Sequence, residues 1–191
     1  MPPAIPGLRY VPDYLDADDH DRLLFTVNAC GWQQAGGRGV QIYGYSYHHA
    51  KGGIYRVGDL PAWVSDVAGR LWRDGLMPYA ADQMIADQYQ GGVGIFSHVD
   101  APAFDDSIVS LSLGSSWVMQ FTECDSARVE EMLVEPRSPR DLRRGAREME
   151  ARHTSAFGRR MDESGRAARH TGVADVSEDG DHVRNGVKST R

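Results

Sequence analysis

The stretch DQYQGGVGIFSHVDAPAFDDSIVSLSLGSSWVMQF, residues 87–121, decides the fold. It opens on Asp87 and Tyr89, crosses a glycine-rich link to His98-x-Asp100, and runs into two segments, DSIVSLSLG and SWVMQFTE, in which apolar residues alternate with Ser and Gln. Period-two alternation rich in Ile, Val and Leu is the pattern of a half-buried strand, and Gly-Ser-Ser between the segments is a turn signal. QMIADQY, GIFSHVD and EEMLVEPRS read as further short strands. Strands that follow one another without helices pair antiparallel, so a sandwich, jelly roll or barrel is expected rather than a parallel sheet.

Upstream, helical spacing takes over. DADDHDRLLFTVNACGW, residues 16–32, begins with acidic residues suited to an N-cap and first turn, carries Leu23, Leu24 and Val27 on one face, and ends near Gly31. PAWVSDVAGRLWRDG, residues 61–75, has Pro61 at its start, Val64, Val67 and Leu71 at helical spacing, and Gly75 at its stop. Between these helices VQIYGYSYHH, residues 40–49, alternates so that Tyr43, Tyr45 and Tyr47 fall on one face of a single strand.

Composition narrows the function classes. A net charge of -6 and a pI near 5.6 give no general attraction for polyanions, so any nucleic-acid contact must be local. Cys30 and Cys124 form no Cys-x-x-Cys, which speaks for buried reduced thiols rather than a zinc knuckle or disulfide framework. MPPAIPGLRY has neither a basic n-region nor an apolar h-region, and no apolar run reaches membrane-spanning length. A cytoplasmic monomer is the expectation.

The chain changes character near Ser138. All 4 Trp, all 8 Tyr and four of the 5 Phe lie before it. Lys+Arg minus Asp+Glu is 9 minus 18, or -9, up to Ser138 and 12 minus 9, or +3, after it. Arg-, Gly- and Ser-rich sequence with few Leu, Ile, Val or Phe cannot bury enough apolar area to offset its ordering entropy. Residues 1–138 are therefore expected to form the folded core and residues 139–191 a low-hydrophobicity tail.

Chemistry enters at His98 and Asp100. Residues i and i+2 of a strand share a face, so both side chains can reach one ion. An imidazole with a carboxylate suits Fe(II), Mn(II) or Zn, and a 2-His-1-carboxylate triad leaves three positions open. By itself the pair is a weak motif, since seven His and frequent Asp produce one by chance, and a rim histidine beside a turn aspartate explains it equally.

The surroundings of the pair carry more. Asp87, Tyr89, Gly94, His98, Asp100, Phe104, the Ser110–Ser115 run SLSLGS and Phe121 together resemble the core of the AlkB-type Fe(II)- and 2-oxoglutarate-dependent dioxygenases. The similarity is greatest to the branch of the tRNA-modifying animal members and their bacterial relatives. GLRYVPDYLD, the tyrosine-rich VQIYGYSY and MLVEPRS resemble further parts of the family, so the likeness runs from about residue 7 to 138. It implies a double-stranded β-helix core with N-terminal helices, an α+β, mainly β fold. It implies Fe(II) held by His98 and Asp100, 2-oxoglutarate contacted by Tyr89 and the Asp87 position, and O2 as oxidant. The implied reaction oxidises an N-methyl or other activated C–H of modified DNA or RNA as 2-oxoglutarate is decarboxylated to succinate. Tyr43, Tyr45, Tyr47 and His48 would stack on a flipped or single-stranded base; packing of the sheet against the second helix is the other explanation for these aromatics.

Two departures stand out. The family has Asn where this chain has Asp87; an ionised carboxylate only accepts hydrogen bonds and would repel the co-substrate, so weakened 2-oxoglutarate binding is expected. Past Pro-Arg-Ser the family continues to Trp-x-His, with the distal iron ligand, and to Ser-Leu-Thr-Phe-Arg, with a carboxylate-clamping arginine. Neither occurs here in register, and His153, His170 and His182 lie in tail-like sequence. The C-terminal strands are expected to be lost. The genetic code suggests how: Met149-Glu150 is ATG-GAR, which one base further reads Trp then Lys or Arg, and the next shifted codon can be His. Ala174–Glu178 can likewise become Leu-Thr-Phe-Arg. A frameshift after about Ser138 accounts for both, and a catalytically impaired remnant is the alternative to an active dioxygenase.

Overall fold

The structure, a computed structural model, describes residues 5–47, 52–90, 93–100, 107–143, 149–153 and 170–173, the last two ranges as backbone only. Two helices and twelve short strands appear among them: β1 (Leu8–Tyr10), α1 (Ala17–Ala29), β2 (Gln33–Ala35), β3 (Arg38–Tyr43), β4 (Tyr45–Tyr47), β5 (Ile54–Arg56), α2 (Ala62–Arg73), β6 (Met84–Tyr89), β7 (Ser107–Leu113), β8 (Trp117–Glu123), β9 (Val129–Val134), β10 (Pro139–Arg143), β11 (Met149–His153) and β12 (His170–Val173). A seven-stranded sheet runs β1-β10-β7-β12-β6-β3-β2, a three-stranded sheet β11-β8-β9, and β4 pairs with β5 alone. All these pairings are antiparallel. The mainly β, jelly-roll character expected from the alternation is the observed one.

Both helices form where their signals stand. Asp16 caps α1 by accepting from the Asp19 N–H at 2.7 Å, and Cys30 follows its last turn. Pro61 precedes α2, and Gly75 takes φ +70 just after it. Leu23, Leu24, Trp63 and Val67 pack with buried Leu15, Val27, Ala86, Leu111 and Leu113. A second apolar cluster, Met119, Phe121, Met132, Val134, Leu142 and Ile5, fills the space between the two larger sheets.

Pro136-Arg137-Ser138 ties the N-terminal segment down. Arg137 adopts φ +71 and pairs with Asp13, its carbonyl accepts from the Leu15 N–H at 3.1 Å, and the buried Ser138 hydroxyl accepts from the Asp13 N–H at 3.2 Å.

Three local expectations change. VQIYGYSYHH is not one strand: Gly44, at φ +77, breaks it into β3 and β4, and a Cβ there would stand 1.9 Å from the Asp82 carbonyl oxygen. Tyr43 thus belongs to a different sheet from Tyr45 and Tyr47, and His48 lies outside the described residues. GIFSHVD is extended with a single bridge residue, His98, rather than a strand. Where the sequence suggests lost C-terminal strands, β10 pairs between β1 and β7, β11 pairs with β8, and β12 lies between β6 and β7. Backbone hydrogen bonding is indifferent to side-chain type, so poorly apolar sequence can still complete a ladder whose neighbours offer unpaired edges.

Candidate metal and co-substrate site

His98 and Asp100 sit on the extended segment that follows β6 and lies next to a small apolar group of Tyr89, Ile95 and Trp117. Phe96 and Val99 turn outward, whereas the His98 and Asp100 side chains are both 11% exposed. The His98 Nδ1–H donates to the Phe96 carbonyl at 2.8 Å. A carbonyl only accepts, so the lone pair is left on Nε2. That nitrogen stands 3.8 Å from Asp100 Oδ1, so one ion at the ~2.1 Å typical of such ligands can touch both. The donor set, one neutral imidazole and one carboxylate, fits Fe(II). No group of three potential metal ligands occurs among the described residues.

Behind this pair lies a charged interior. Asp87 is fully buried on β6, and its Oδ1 accepts from the Arg38 Nε–H at 2.8 Å. The repulsion expected from an isolated Asp87 carboxylate is therefore set against an adjacent guanidinium. Tyr89, two residues on and facing the same way, is 3% exposed, with its ring 6.0 Å from that of Trp117. Burial first, then the neighbouring Asp87, holds the Tyr89 phenol well above its ordinary value, although Arg38 and Arg140 act the other way. It stays protonated at neutral pH and so keeps a proton to donate.

The aromatic residues near the second helix divide. The Tyr43 ring meets Trp63 edge-on at 5.7 Å and its hydroxyl donates to Gln41 at 3.0 Å, so it packs β3 on α2. Burial raises its phenol above the usual range. Tyr45 is exposed and Tyr47 half-buried on β4, and Ile54 and Tyr55 on the paired β5 are exposed as well.

Sequence reasoning passed over Arg38 and Arg140. Arg38 lies in AGGRGV, where it reads as a turn residue; its partner is 49 positions away, a distance no local pattern reveals. Arg140 had a signal: in PRDLR it alternates with Leu142, which places a cation on the core-facing side. Of the later histidines, His153 takes the register position opposite Met119 and His170 that opposite Tyr89, while His182 lies outside the described residues.

No family model matches the chain. It is 34% identical over 126 residues to the "Alkylated DNA repair protein ALKBH8 homolog" of Arabidopsis thaliana, covering 61% of this chain and 36% of that one. To the "tRNA (carboxymethyluridine(34)-5-O)-methyltransferase ALKBH8" of Mus musculus it is 32% identical over 143 residues, or 67% of this chain and 21% of the relative. The chain thus spans only about a third and a fifth of the lengths of these two relatives. Among solved structures, that of OsALKBH1 superposes with a TM-score of 0.70 over 88% of this chain and 96% of the other; at 11% identity this speaks for the fold alone. Sequence relatives and fold agree, and the chain is AlkB-like.

Proposed function

We propose that this chain is a dioxygenase of the AlkB type that oxidatively demethylates or hydroxylates alkylated or modified nucleic acid, single-stranded DNA or RNA. The observation that carries this reading is the approach of His98 Nε2 to Asp100 Oδ1 at 3.8 Å on a half-buried segment, with the imidazole tautomer set by the Phe96 carbonyl. Fe(II) held there would supply oxygen activation coupled to decarboxylation of 2-oxoglutarate to succinate. The chain's own residues would do the rest. Phe96 O keeps the His98 lone pair on Nε2, Tyr89 offers a phenol proton to a carboxylate oxygen, and Tyr45 and Tyr47 present a face on which a base can stack for about 1–3 kcal/mol. Relatives named for DNA repair and for tRNA support a nucleic-acid substrate.

The second reading, a remnant that folds without turning over, draws support from the missing Trp-x-His and Thr-Phe-Arg after Ser138. An assay of 2-oxoglutarate-dependent succinate release with Fe(II), on methylated DNA and RNA oligonucleotides, separates the two. The expected result is substrate-stimulated release that His98→Ala reduces at least ~100-fold, as loss of a first ligand should. Folded wild-type protein with no release would leave the remnant reading in place, and translation of the gene's next frame past Ser138 would then show whether the missing motifs lie there.

A further inference from the structure

The segment that carries the metal pair turns toward solvent an apolar side that the proposed chemistry leaves unused. Its inward residues are accounted for: Ile95 packs with Tyr89 and Trp117, and the His98 and Asp100 side chains are 11% exposed. Phe96 and Val99 lie between them on the outside, at 82% and 47% exposure, and Phe96 is the most exposed large apolar side chain among the described residues. So bare a ring contributes little to the fold, since hydrophobic stabilisation scales with the area removed from water.

The backbone beneath the phenyl is tied to the metal pair. Phe96 O accepts from the His98 Nδ1–H at 2.8 Å, so the carbonyl of this residue faces the ligand while its ring faces solvent. Two residues of extended chain span about 7 Å. A strand of nucleic acid with one nucleotide at His98 and Asp100 therefore has its neighbour within reach of the phenyl. Phe25, on α1, is nearly as bare at 76%, but α1 packs on the other face of the large sheet, away from the cluster of Tyr89, Ile95 and Trp117.

Charge indicates what kind of contact this is. At a net charge of -6 the chain has no general attraction for phosphates. Affinity for a nucleic acid then depends on contacts that need no charge, and stacking of a base on an aromatic ring is the sequence-tolerant one. In a duplex both faces of each base are occupied by its neighbours, so a phenyl finds a partner only where the strand is unpaired.

We propose that Phe96 is the platform on which a base of single-stranded substrate stacks, next to the nucleotide held at the metal pair, and that it gives the chain its preference for unpaired strands. The assignment rests on the nucleic-acid oxygenase reading and deepens it.

The test is fluorescence anisotropy of a labelled N-methylated single-stranded oligonucleotide titrated with the full chain in the presence of Mn(II), with Mn(II) affinity followed separately by calorimetry. Phe96→Ala should weaken oligonucleotide binding about 5- to 150-fold, the range for loss of one stacked base. It should leave Mn(II) affinity unchanged, because the carbonyl that holds His98 belongs to the backbone. Phe96→Trp should keep the wild-type affinity or exceed it, and Phe96→Leu, apolar without a π face, should lose most of it. The same oligonucleotide as a duplex should bind more weakly and be indifferent to Phe96→Ala. Unchanged oligonucleotide affinity in Phe96→Ala would overturn the assignment and leave the oxygenase reading intact, as would full retention by Phe96→Leu or an equal loss from Phe25→Ala. Wild-type chain that binds Mn(II) but no oligonucleotide would remove the nucleic-acid reading and this one together. Should Phe96→Ala lose Mn(II) as well, the two bulky variants decide: affinity kept by Phe96→Trp and lost by Phe96→Leu supports the platform, and equal affinity in both overturns it.

Discussion

One strand, β6, shows both faces of the large sheet at once. Met84 and Ala86 turn toward the helices, into an apolar cluster with Leu15, Val27, Leu111, Leu113 and the inner faces of α1 and α2. Asp87 and Tyr89 turn the other way, into an interior that also holds Arg38 and Arg140. Period-two geometry lets a single hexapeptide serve a hydrophobic core and a polar chamber without compromise. Packing on the helix side tolerates apolar exchanges that conserve volume, whereas the charged groups on the chamber side depend on particular partners, as Asp87 does on Arg38. The first side should lose stability when cut back; the second should lose specificity as well.

Breaking the Arg38–Asp87 pair is the sharpest way to set the sides apart. Arg38→Met strands a fully buried carboxylate and should cost ~3–5 kcal/mol in denaturant unfolding, while the double variant Arg38→Met/Asp87→Leu should recover most of that loss. A single variant within ~1 kcal/mol of wild type would mean that Asp87 is held by something other than Arg38. Asp87→Asn belongs to the same comparison. Since the carboxylate is paired, that change should weaken the fold, and a tighter 2-oxoglutarate affinity instead would restore the view of Asp87 as a repulsive neighbour of the co-substrate.

On the apolar side, Leu113→Ala removes a side chain that is 1% exposed and should cost about 2–5 kcal/mol, according to how far the helices can settle into the gap. The same variant should leave 2-oxoglutarate affinity untouched; an affinity that falls with it would show that the two faces are mechanically coupled through β7.

The smallest effect lies at the edge of the helix layer. The Tyr14 hydroxyl donates to Asp74 at 2.6 Å, under a guanidinium, Arg70, 4.8 Å from its ring. Burial and that hydrogen bond push the phenol up to about 12, so between its ordinary 10.0 and 12 the folded chain binds more protons than the unfolded one. Stability present below pH 10 therefore declines as pH rises through this window. Tyr14→Phe should flatten part of that decline in alkaline melting curves, and an unchanged slope would assign the proton uptake elsewhere.

How much of this could be read from the letters follows from range. The helices were legible because their caps and apolar stripes are local, as at Asp16 and Pro61. The strands β6 to β9 were legible because each keeps its own alternation. His98 and Asp100 were suggested by spacing and family resemblance, and their approach adds a geometry that spacing alone could not supply. The break at Gly44 was missed because alternation carries straight through it, and only the nearness of Asp82 explains why a glycine stands there. β10 to β12 were hidden for a different reason: their ladders are drawn from neighbours far away in sequence, so composition gave no hint of them. Arg38 and Asp87 belong with these, since two charges pair across the sheet without either announcing the other.

Gly44 has a wider meaning. Its carbonyl accepts the N–H groups of Val57 at 2.8 Å and Gly58 at 3.3 Å, so the β4–β5 hairpin leaves and rejoins the body of the protein at one glycine. That fastening is backbone to backbone, so no side chain of the Arg38–Asp87 chamber takes part in these two hydrogen bonds. Under the proposed function the hairpin is an exchangeable reading head: the exposed Tyr45, Ile54 and Tyr55 are the positions at which a different nucleobase would be accommodated, provided that the glycine stays.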